Sequence, residues 1–268
     1  MTVPRLQASG VSFAYERVRG AVVPVLNEVS LTIQRGAIVG LIGPNGSGKT
    51  TFLRLLAGTL TPAHGQIALD GVSLKTMSRL QLARRIAVVP QETHSTFDFT
   101  VLDIVLMGRY AHLGLFELEG PGDLAIARDA LAATGTSALE SRRFGTLSGG
   151  EKQRVVIASA LAQASDVLLL DEPTASLDLG FQFEIVKLLA RLNRERGTTM
   201  VVSTHDLNLA AALCAELVLL RTGRVIAQGK TAEVLTSGNV RILYGVDADI
   251  TVHPRAGHLT VVPIARAD

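Results

Sequence analysis

Gly43-Pro44-Asn45-Gly46-Ser47-Gly48-Lys49-Thr50 has the spacing G-x-x-x-x-G-K-[ST], and this octapeptide is the most informative segment of the chain. A nearly continuous apolar run, 37–42, precedes it, and a helix-forming run, 51–57, follows it. A strand, a glycine-rich loop and a helix in this order place backbone N–H groups around a phosphate at a helix N-terminus. The segment therefore predicts a nucleoside triphosphate site. The alternative is a glycine-rich turn with an accidental lysine, which the flanking strand and helix disfavour.

Each part of this loop has an expected role. Its glycines let the backbone close on an anion without Cβ clashes. Lys49 is expected to reach the β- and γ-phosphates, and Thr50 to place a hydroxyl on Mg²⁺. The residues of this segment predicted to bind nucleotide are Gly43, Pro44, Asn45, Gly46, Ser47, Gly48, Lys49, Thr50 and Thr51.

Length and composition limit the fold and the partners. A chain of 268 residues can hold one large α/β domain, with or without a smaller lobe. Hydrophobic residues make up 47% and aromatic residues only 4%, which is typical of buried parallel strands built from aliphatic side chains. The net charge is +2 without a basic block, so composition does not favour a nucleic-acid partner. The single cysteine, Cys214, excludes an internal disulfide and is interpreted as a small apolar filler on a helix.

No segment has the pattern of a membrane span. The mean hydropathy is +0.33, yet no run of about 18 apolar residues occurs without a charge. The nearest candidate, 155–170, is interrupted by Gln163 and Asp166, and the first ten residues lack the layout of a signal peptide. We therefore expect a cytoplasmic chain whose excess hydrophobicity serves docking against another protein.

The order of apolar runs predicts an α/β fold with a mostly parallel sheet, helices on both faces and a helical insertion over 100–161. The first strands, 6–15 and 29–33, alternate and are expected to be antiparallel. The other predicted strands are 65–70, which ends in an Asp70-Gly71 turn, 86–89, 167–170, 199–203, 217–220 and 225–228. The other predicted helices are 78–85, 178–195 and 207–214, and the chain is expected to end in a hairpin over 249–262.

Two adjacent acids follow one of the apolar strands. The run 167–170 ends in Asp171 and Glu172. In P-loop enzymes an acidic residue at this position holds Mg²⁺, which suits Asp171. Glu172 could accept a proton from the attacking water. The alternative is a strand end with solvated acids, which is disfavoured in a chain that also has a phosphate loop.

A second anion-binding helix start is predicted at Leu147-Ser148-Gly149-Gly150-Glu151. Ser148 and Glu151 form a capping-box pattern that begins a helix. The two glycines expose the backbone at that helix N-terminus, which is an anion-binding surface. Two such surfaces in one chain favour a sandwich, in which nucleotide on one copy meets the second surface of a partner copy.

Three segments, in this order and spacing, resemble the nucleotide-binding subunit of ATP-binding cassette (ABC) transporters: Gly43–Thr50, Leu147–Glu151 and Leu168–Pro173. The resemblance covers essentially the whole chain, and the second segment is the more specific because ordinary P-loop enzymes lack it. It implies a RecA-like P-loop NTPase with an antiparallel β subdomain and an inserted helical subdomain. The implied divisions are an ATPase domain at 1–250, its helical subdomain at about 92–162, and a short β extension at 251–268.

Four further positions match the family. The resemblance implies that Tyr15 stacks on adenine, Gln91 joins the metal site to the helical lobe, Asp178 belongs to a dimer-contact loop, and His205 senses the γ-phosphate. The alternatives are, in the same order, a strand aromatic, a turn residue, a helix N-cap and a solvated helix start. The stretch 15–26 is a few residues longer than the family pattern, so the match to the family is less close at Tyr15.

The resemblance also implies a mechanism. Two copies would bind two ATP molecules head to tail, each between the glycine loop of one copy and the Leu147–Glu151 segment of the other. Glu172 would polarise the attacking water and His205 would stabilise developing charge. The implied Mg²⁺ residues are Thr50, Gln91 and Asp171, and the implied partner contacts to ATP are Ser148, Gly149, Gly150 and Glu151.

The implied partners are permease subunits, a second copy of the chain and, indirectly, a substrate-binding protein. The chain would then lie on the cytoplasmic face of the membrane, held there by the permease. The candidate docking wall is His94–Tyr110, with Phe97, Phe99 and Met107 available for contact. The alternative is that these side chains pack within the helical lobe.

Three further segments resemble importers of particular cargoes and indicate what such a transporter would carry. The segments 100–110, 203–210 and Tyr244-Gly245-Val246 are similar to importers of iron siderophores, haem and cobalamin, among which we favour an iron chelate. One alternative class is a soluble cassette ATPase of DNA repair or translation, but the chain lacks coiled-coil insertions and a second cassette. A P-loop kinase or GTPase would leave Ser148–Glu151 and His205 without roles.

Overall fold

A computed structural model describes residues 3–16, 22–91, 98–114 and 116–267. The chain divides into two compact units: unit 1 is Met1–Met77 with Thr199–Asp268, and unit 2 is Ser78–Thr198. The strands are β1 (Leu6–Glu16), β2 (Val22–Ile33), β3 (Ile38–Ile42), β4 (His64–Leu69), β5 (Val72–Ser73), β6 (Ile86–Val89), β7 (Val167–Asp171), β8 (Thr199–Thr204), β9 (Glu216–Arg221), β10 (Arg224–Lys230), β11 (Val246–Val252) and β12 (Leu259–Arg266). The α-helices are α1 (Lys49–Leu56), α2 (Arg79–Arg85), α3 (Val101–Leu106), α4 (Pro121–Ala133), α5 (Gly149–Ala162), α6 (Leu179–Arg196), α7 (Leu207–Leu213), α8 (Thr231–Val234) and α9 (Ser237–Tyr244). Across these ranges, no helix has both the length and the apolarity that a bilayer span requires.

The centre of unit 1 is a parallel arrangement around β3. This strand pairs in parallel with β8 and with β9, and the register aligns Ile42 with Thr204 and with Leu219. Every residue of β3 and β8 is buried, as expected for strands covered on both faces. Because parallel strands end at the same edge, the chain leaves β3 and β8 at neighbouring points.

Cys214 belongs to this core. It is buried directly after α7, and an added Cβ at Gly40 in β3 would lie 3.1 Å from its Sγ. Burial raises the pKa of the Cys214 thiol to about 12, so the thiol stays protonated at neutral pH. Its interpretation as a small apolar filler is confirmed, but Cys214 lies just after α7 in extended backbone and not on the helix as predicted.

The antiparallel part of unit 1 is also confirmed. β1 pairs with β2 and with β4, and the Asp70-Gly71 turn joins β4 to β5 with positive φ at both residues. β2 begins at Val22 rather than at the predicted residue 29. The pattern misled because Glu28, at φ 53, interrupts the alternation at an irregularity in the β1–β2 register.

Unit 2 combines the parallel pair β6–β7 with the helices predicted between residues 100 and 161. Buried Arg109 links helices α4 and α5 through polar contacts. Its Nε pairs with Asp123 of α4 at 2.9 Å, and its Nη1 donates to the Ala162 carbonyl at the end of α5. The Arg109 guanidinium holds the pKa of the Asp123 carboxyl below its ordinary value.

The C-terminal part was only half predicted. The hairpin expected over 249–262 is present as the antiparallel pair β11–β12. The two short helices α8 and α9 were missed, because four and eight residues are too few for a clear helical period. Gly245, at φ 66, ends α9 in the left-handed conformation that favours glycine at this position.

Candidate nucleotide site

The predicted strand, loop and helix are present in unit 1. β3 leads into the glycine loop, and α1 begins at Lys49. Gly46 and Gly48 have φ of 79° and 106°, which explains glycine at both positions. The loop therefore ends in a helix N-terminus whose first N–H groups have no intrahelical acceptor.

Gly43 is a glycine for a different reason. An added Cβ would lie 2.2 Å from the Leu220 carbonyl oxygen and 2.6 Å from Ser47 Oγ. The loop is tied to the same β9–β10 corner by a hydrogen bond from the Gly223 N–H to the Ser47 carbonyl. These close approaches fix the path of the loop at the edge where β3 ends.

The polar groups of the loop fit a polyphosphate. The buried ammonium group of Lys49 donates to the carbonyl oxygens of Gly43, at 2.8 Å, and Pro44, at 3.4 Å. Ser47 Oγ is buried and has no hydrogen-bond partner among the residues that the structure describes. A fixed cation, a buried hydroxyl and helix-terminal N–H groups are the donors that a phosphate needs.

Tyr15 lies beside this loop. Its hydroxyl is 3.4 Å from Thr51 Oγ1 in α1, and its ring packs edge-to-face with the Phe13 ring at a centroid distance of 4.9 Å. Residues 17–21 fall outside the described part of the chain, and the contact with Thr51 places the Tyr15 hydroxyl at the first turn of α1. Stacking of Tyr15 on a base remains a prediction that this position suits.

His205 leaves the sheet at the same edge as the loop. It is exposed and directly follows β8, whose last residue, Thr204, is level with the last residue of β3. Asp206 then caps α7 by accepting hydrogen bonds from the N–H groups of Asn208 and Leu209. His205 therefore directly precedes a helix start and is exposed, which agrees with the alternative of a solvated helix start. It also leaves the sheet beside the residue that leads from β3 into the glycine loop.

In unit 2, Asp171 is the last residue of β7 and Glu172 follows it, so the two acids lie at the strand end as predicted, but neither is well solvated. Asp171 is 7% exposed and Glu172 is 9% exposed. Their burial contradicts the alternative of solvated acids at a strand end. Glu172 has φ 46, a left-handed backbone conformation that is strained for a residue with a side chain of this size.

The capping box at the second helix start is confirmed. The Ser148 N–H donates to Glu151 Oε2 at 2.8 Å, and Ser148 Oγ accepts from the Glu151 N–H at 3.4 Å. Hydrogen bonds from the Ser148 N–H and hydroxyl hold the pKa of Glu151 below its ordinary value. Ser148 and Gly149 are exposed, so the helix start is accessible from outside the chain.

The role of Phe181 was missed by sequence reasoning. An added Cβ at Gly150 would lie 2.3 Å from Cδ1 of the Phe181 ring, so this ring occupies the space that any larger residue at 150 would need. Asp178 caps the same helix, α6, by accepting from the Phe181 N–H at 3.0 Å. The N-cap alternative for Asp178 is therefore confirmed. No local pattern could have paired Phe181 with Gly150.

The structure describes Gln91 and only part of the predicted docking wall His94–Tyr110. Gln91 is exposed, two residues after the end of β6. In the predicted docking wall, Phe99 and Met107 are half-buried, whereas His94 and Phe97 lie outside the described residues.

A buried parallel strand, a glycine loop and a helix define a P-loop nucleoside triphosphatase, and this chain adds a second glycine-bearing helix start. The family model described as ABC transporter matches residues 26–175. The chain therefore belongs to the ABC transporter family as an ATP-binding subunit, and it is an ATPase. Its relatives are import ATP-binding proteins, which places it in the import group.

Two relatives illustrate the similarity. The ferric enterobactin transport ATP-binding protein FepC of Escherichia coli (strain K12) is 38% identical over 99% of this chain and 96% of its own length. The hemin import ATP-binding protein HmuV of Bordetella pertussis (strain Tohama I) is 43% identical over 93% of this chain and 95% of its own.

Two solved structures of similar fold are also an ABC transporter and an ABC transporter cassette. A putative metal-chelate type ABC transporter in an inward-facing conformation matches with a TM-score of 0.85 and 31% identity, over 98% of both chains. A dimeric bacterial ABC transporter cassette matches with a TM-score of 0.74 and 29% identity, over 84% of this chain and 98% of the other.

Proposed function

We propose that this chain hydrolyses ATP to drive import of iron bound in an organic chelate, a siderophore. The observation that carries the ATPase mechanism is the loop Gly43–Thr50 with the buried Lys49 ammonium group among its carbonyls. The cargo rests on similarity to the ferric enterobactin protein and to the metal-chelate transporter.

For the hydrolysis step we assign Lys49 and the loop amides to the phosphates and Tyr15 to the base. Glu172 takes the proton of the attacking water, and His205 stabilises charge that develops on the γ-phosphate. Mg²⁺, when bound, would neutralise phosphate charge, and the oxygen ligands that this hard cation prefers are available at Thr50, Gln91 and Asp171.

We further propose that hydrolysis requires a second copy of the chain. Support comes from the exposed helix start at Ser148 and Gly149 and from the similarity to a dimeric cassette. Asp178 lies at an exposed helix start within the segment assigned to the dimer contact. The Ser148–Glu151 segment of one copy would contact ATP held by the loop of the other.

The permease partner is proposed to dock on unit 2 along His94–Tyr110. Support comes from exposed apolar side chains at and beyond the end of this segment: Tyr110 is 57% exposed, Phe116 94% and Leu118 83%. Single exposed apolar residues are ordinary on a monomer, but large ones close together in sequence favour an interface.

Glu172→Gln tests the catalytic assignment. The amide cannot accept a proton, so we expect turnover to fall at least about 100-fold, with ATP affinity kept and dimers accumulating in ATP. Phosphate release measures the turnover, and light scattering measures the accumulation of dimers. The matched control is Glu195→Gln, an exposed glutamate in α6, which should behave as wild type. Full turnover in Glu172→Gln would refute the assigned base.

Haem is the second candidate cargo, because the hemin import protein is the more identical of the two relatives. A deletion strain grown on ferric enterobactin or on haemin as sole iron source separates the two. We expect loss of growth on the siderophore, restored by the wild-type chain but not by Glu172→Gln. Loss of growth on haemin alone would refute the siderophore assignment.

A further inference from the structure

The C-terminal segment 237–267, comprising α9 and the β11–β12 hairpin and called here the C-terminal latch, contacts the chain just after His205. The contact uses one side chain of α7. Asn208 Oδ1 accepts from the Val261 N–H at 2.7 Å, and Asn208 Nδ2 donates to the Val261 carbonyl at 3.2 Å. A single amide thus satisfies both backbone groups of a buried residue in β12.

A second contact reaches His205 itself. The Tyr244 hydroxyl donates to the His205 carbonyl oxygen at 3.1 Å. Tyr244 is the last residue of α9 and is held in place by its neighbours, because the Gly245 carbonyl accepts from the Ala267 N–H after β12. The latch therefore approaches the His205 segment from two positions that are far apart in its own sequence.

Together with a hydrogen bond from Asp206, the Tyr244 contact holds both polar groups of the peptide that follows His205. The Asp206 N–H donates to Thr204 Oγ1 at 3.0 Å, so the peptide after His205 is held on its amide side, and Tyr244 holds its carbonyl side. Holding this peptide plane restricts the backbone torsion ψ of His205, and so narrows the range of directions in which the exposed imidazole can project from the chain. A displacement of about 1 Å at a catalytic group can cost roughly 100-fold in rate.

We infer that Tyr244 is a positioning residue for His205, and that the C-terminal latch sets the imidazole where it meets the γ-phosphate. This inference rests on the proposed role of His205 in ATP hydrolysis. The competing explanation is that Tyr244 and Asn208 only attach the hairpin and contribute to stability.

Tyr244→Phe tests the inference because it removes one hydroxyl and keeps the ring. We expect kcat for ATP hydrolysis to fall about 2- to 12-fold, the value of one neutral hydrogen bond, with KM for ATP unchanged. The lost bond should lower Tm by no more than roughly 1–6 °C, so the protein stays folded at the assay temperature. Thr251→Val is the matched control, since it removes an exposed hydroxyl from the same latch and should leave kcat unchanged. Asn208→Ala should lower kcat in the same way through the second contact.

The His205→Ala background separates positioning from stability. If Tyr244 acts through His205, then Tyr244→Phe should produce no further fall in the single-turnover rate of His205→Ala. An equal fall in both backgrounds, enough unfolded protein at the assay temperature to account for the lost rate, or wild-type kcat in Tyr244→Phe would overturn the positioning role. Wild-type turnover in His205→Ala itself would instead refute the proposed role of His205, and the inference with it.

Discussion

Replacing Gly150 by alanine should destabilise the protein, although alanine is normally the better helix former. The added Cβ would lie 2.3 Å from Cδ1 and 2.5 Å from Cγ of the Phe181 ring. Cγ is the atom that carries the ring, so rotation about the ring axis does not relieve the clash. Either the ring leaves its place or the start of α5 shifts.

The size of the effect follows from overpacking. Extra methyl groups in packed sites cost about 1–3 kcal/mol, and the half-buried position of Phe181 places our expectation at about 1–2 kcal/mol. For a chain of this length that is a fall in Tm of roughly 2–8 °C. Because the chain has no tryptophan, far-UV circular dichroism during urea and thermal unfolding is the suitable measurement.

A double-mutant cycle isolates the contact. In a Phe181→Ala background the obstructing ring is gone, so Gly150→Ala should be neutral or stabilising by up to about 1 kcal/mol through helix propensity. The coupling between the two substitutions should therefore be about 1–2 kcal/mol. The same loss of stability from Gly150→Ala in both backgrounds would refute the reasoning.

Gly149→Ala is the matched control at the neighbouring position. Its added Cβ would meet only Leu177 Cδ2, at 3.4 Å, so Tm should not fall. ATPase activity should nevertheless drop, because the new methyl group lies on the exposed helix start that we assign to the ATP of the partner copy. A variant with wild-type Tm and wild-type turnover would contradict that assignment.

The remaining predictions concern the phosphate loop, the base contact and acid stability. Lys49→Ala should weaken ATP binding by roughly 10- to 100-fold, the value of a charge-assisted hydrogen bond, when measured by calorimetric titration. Tyr15→Leu should lower ATP affinity about tenfold while Tyr15→Phe keeps it, and inorganic triphosphate should bind all three chains equally. Because Arg109 lowers the folded-state pKa of Asp123 below its ordinary 3.8, the ion pair stabilises the protein above that pH and stops doing so as pH falls through the lowered value. The difference in urea midpoint between wild type and Asp123→Asn should therefore be present at pH 6 and shrink on acidification below 3.8.

The elements that sequence reasoning predicted are those with a local pattern. β3, β6 and β7 are apolar runs, and the Asp70-Gly71 turn and the Ser148–Glu151 capping box each depend on residues at most three positions apart. Such signals are complete within one stretch of chain. α9 and the start of β2 were missed because a short helix and an irregular strand dilute the period that would reveal them.

Contacts between distant residues left no such signal. Phe181 follows Gly150 by 31 positions, and Tyr244 follows His205 by 39. Each pair depends on how two elements pack, and the chemistry of either residue alone does not indicate its partner. Sequence therefore predicted the groups to which we assign the chemistry, while the structure was needed to find the side chains in contact with them.

Glycines in the two motifs illustrate the difference. Gly46 and Gly48 require positive φ, Gly43 has no room beside the Leu220 carbonyl, and Gly150 has no room beside the Phe181 ring. Gly149 differs from all of these, because its φ is ordinary, an added Cβ would make only an ordinary contact with Leu177, and alanine would favour the helix by up to about 1 kcal/mol. No residue of unit 2 that the structure describes therefore demands glycine at position 149. A close approach from outside the chain would demand it, and ATP carried by a partner copy is the occupant that the exposed helix N-terminus suits.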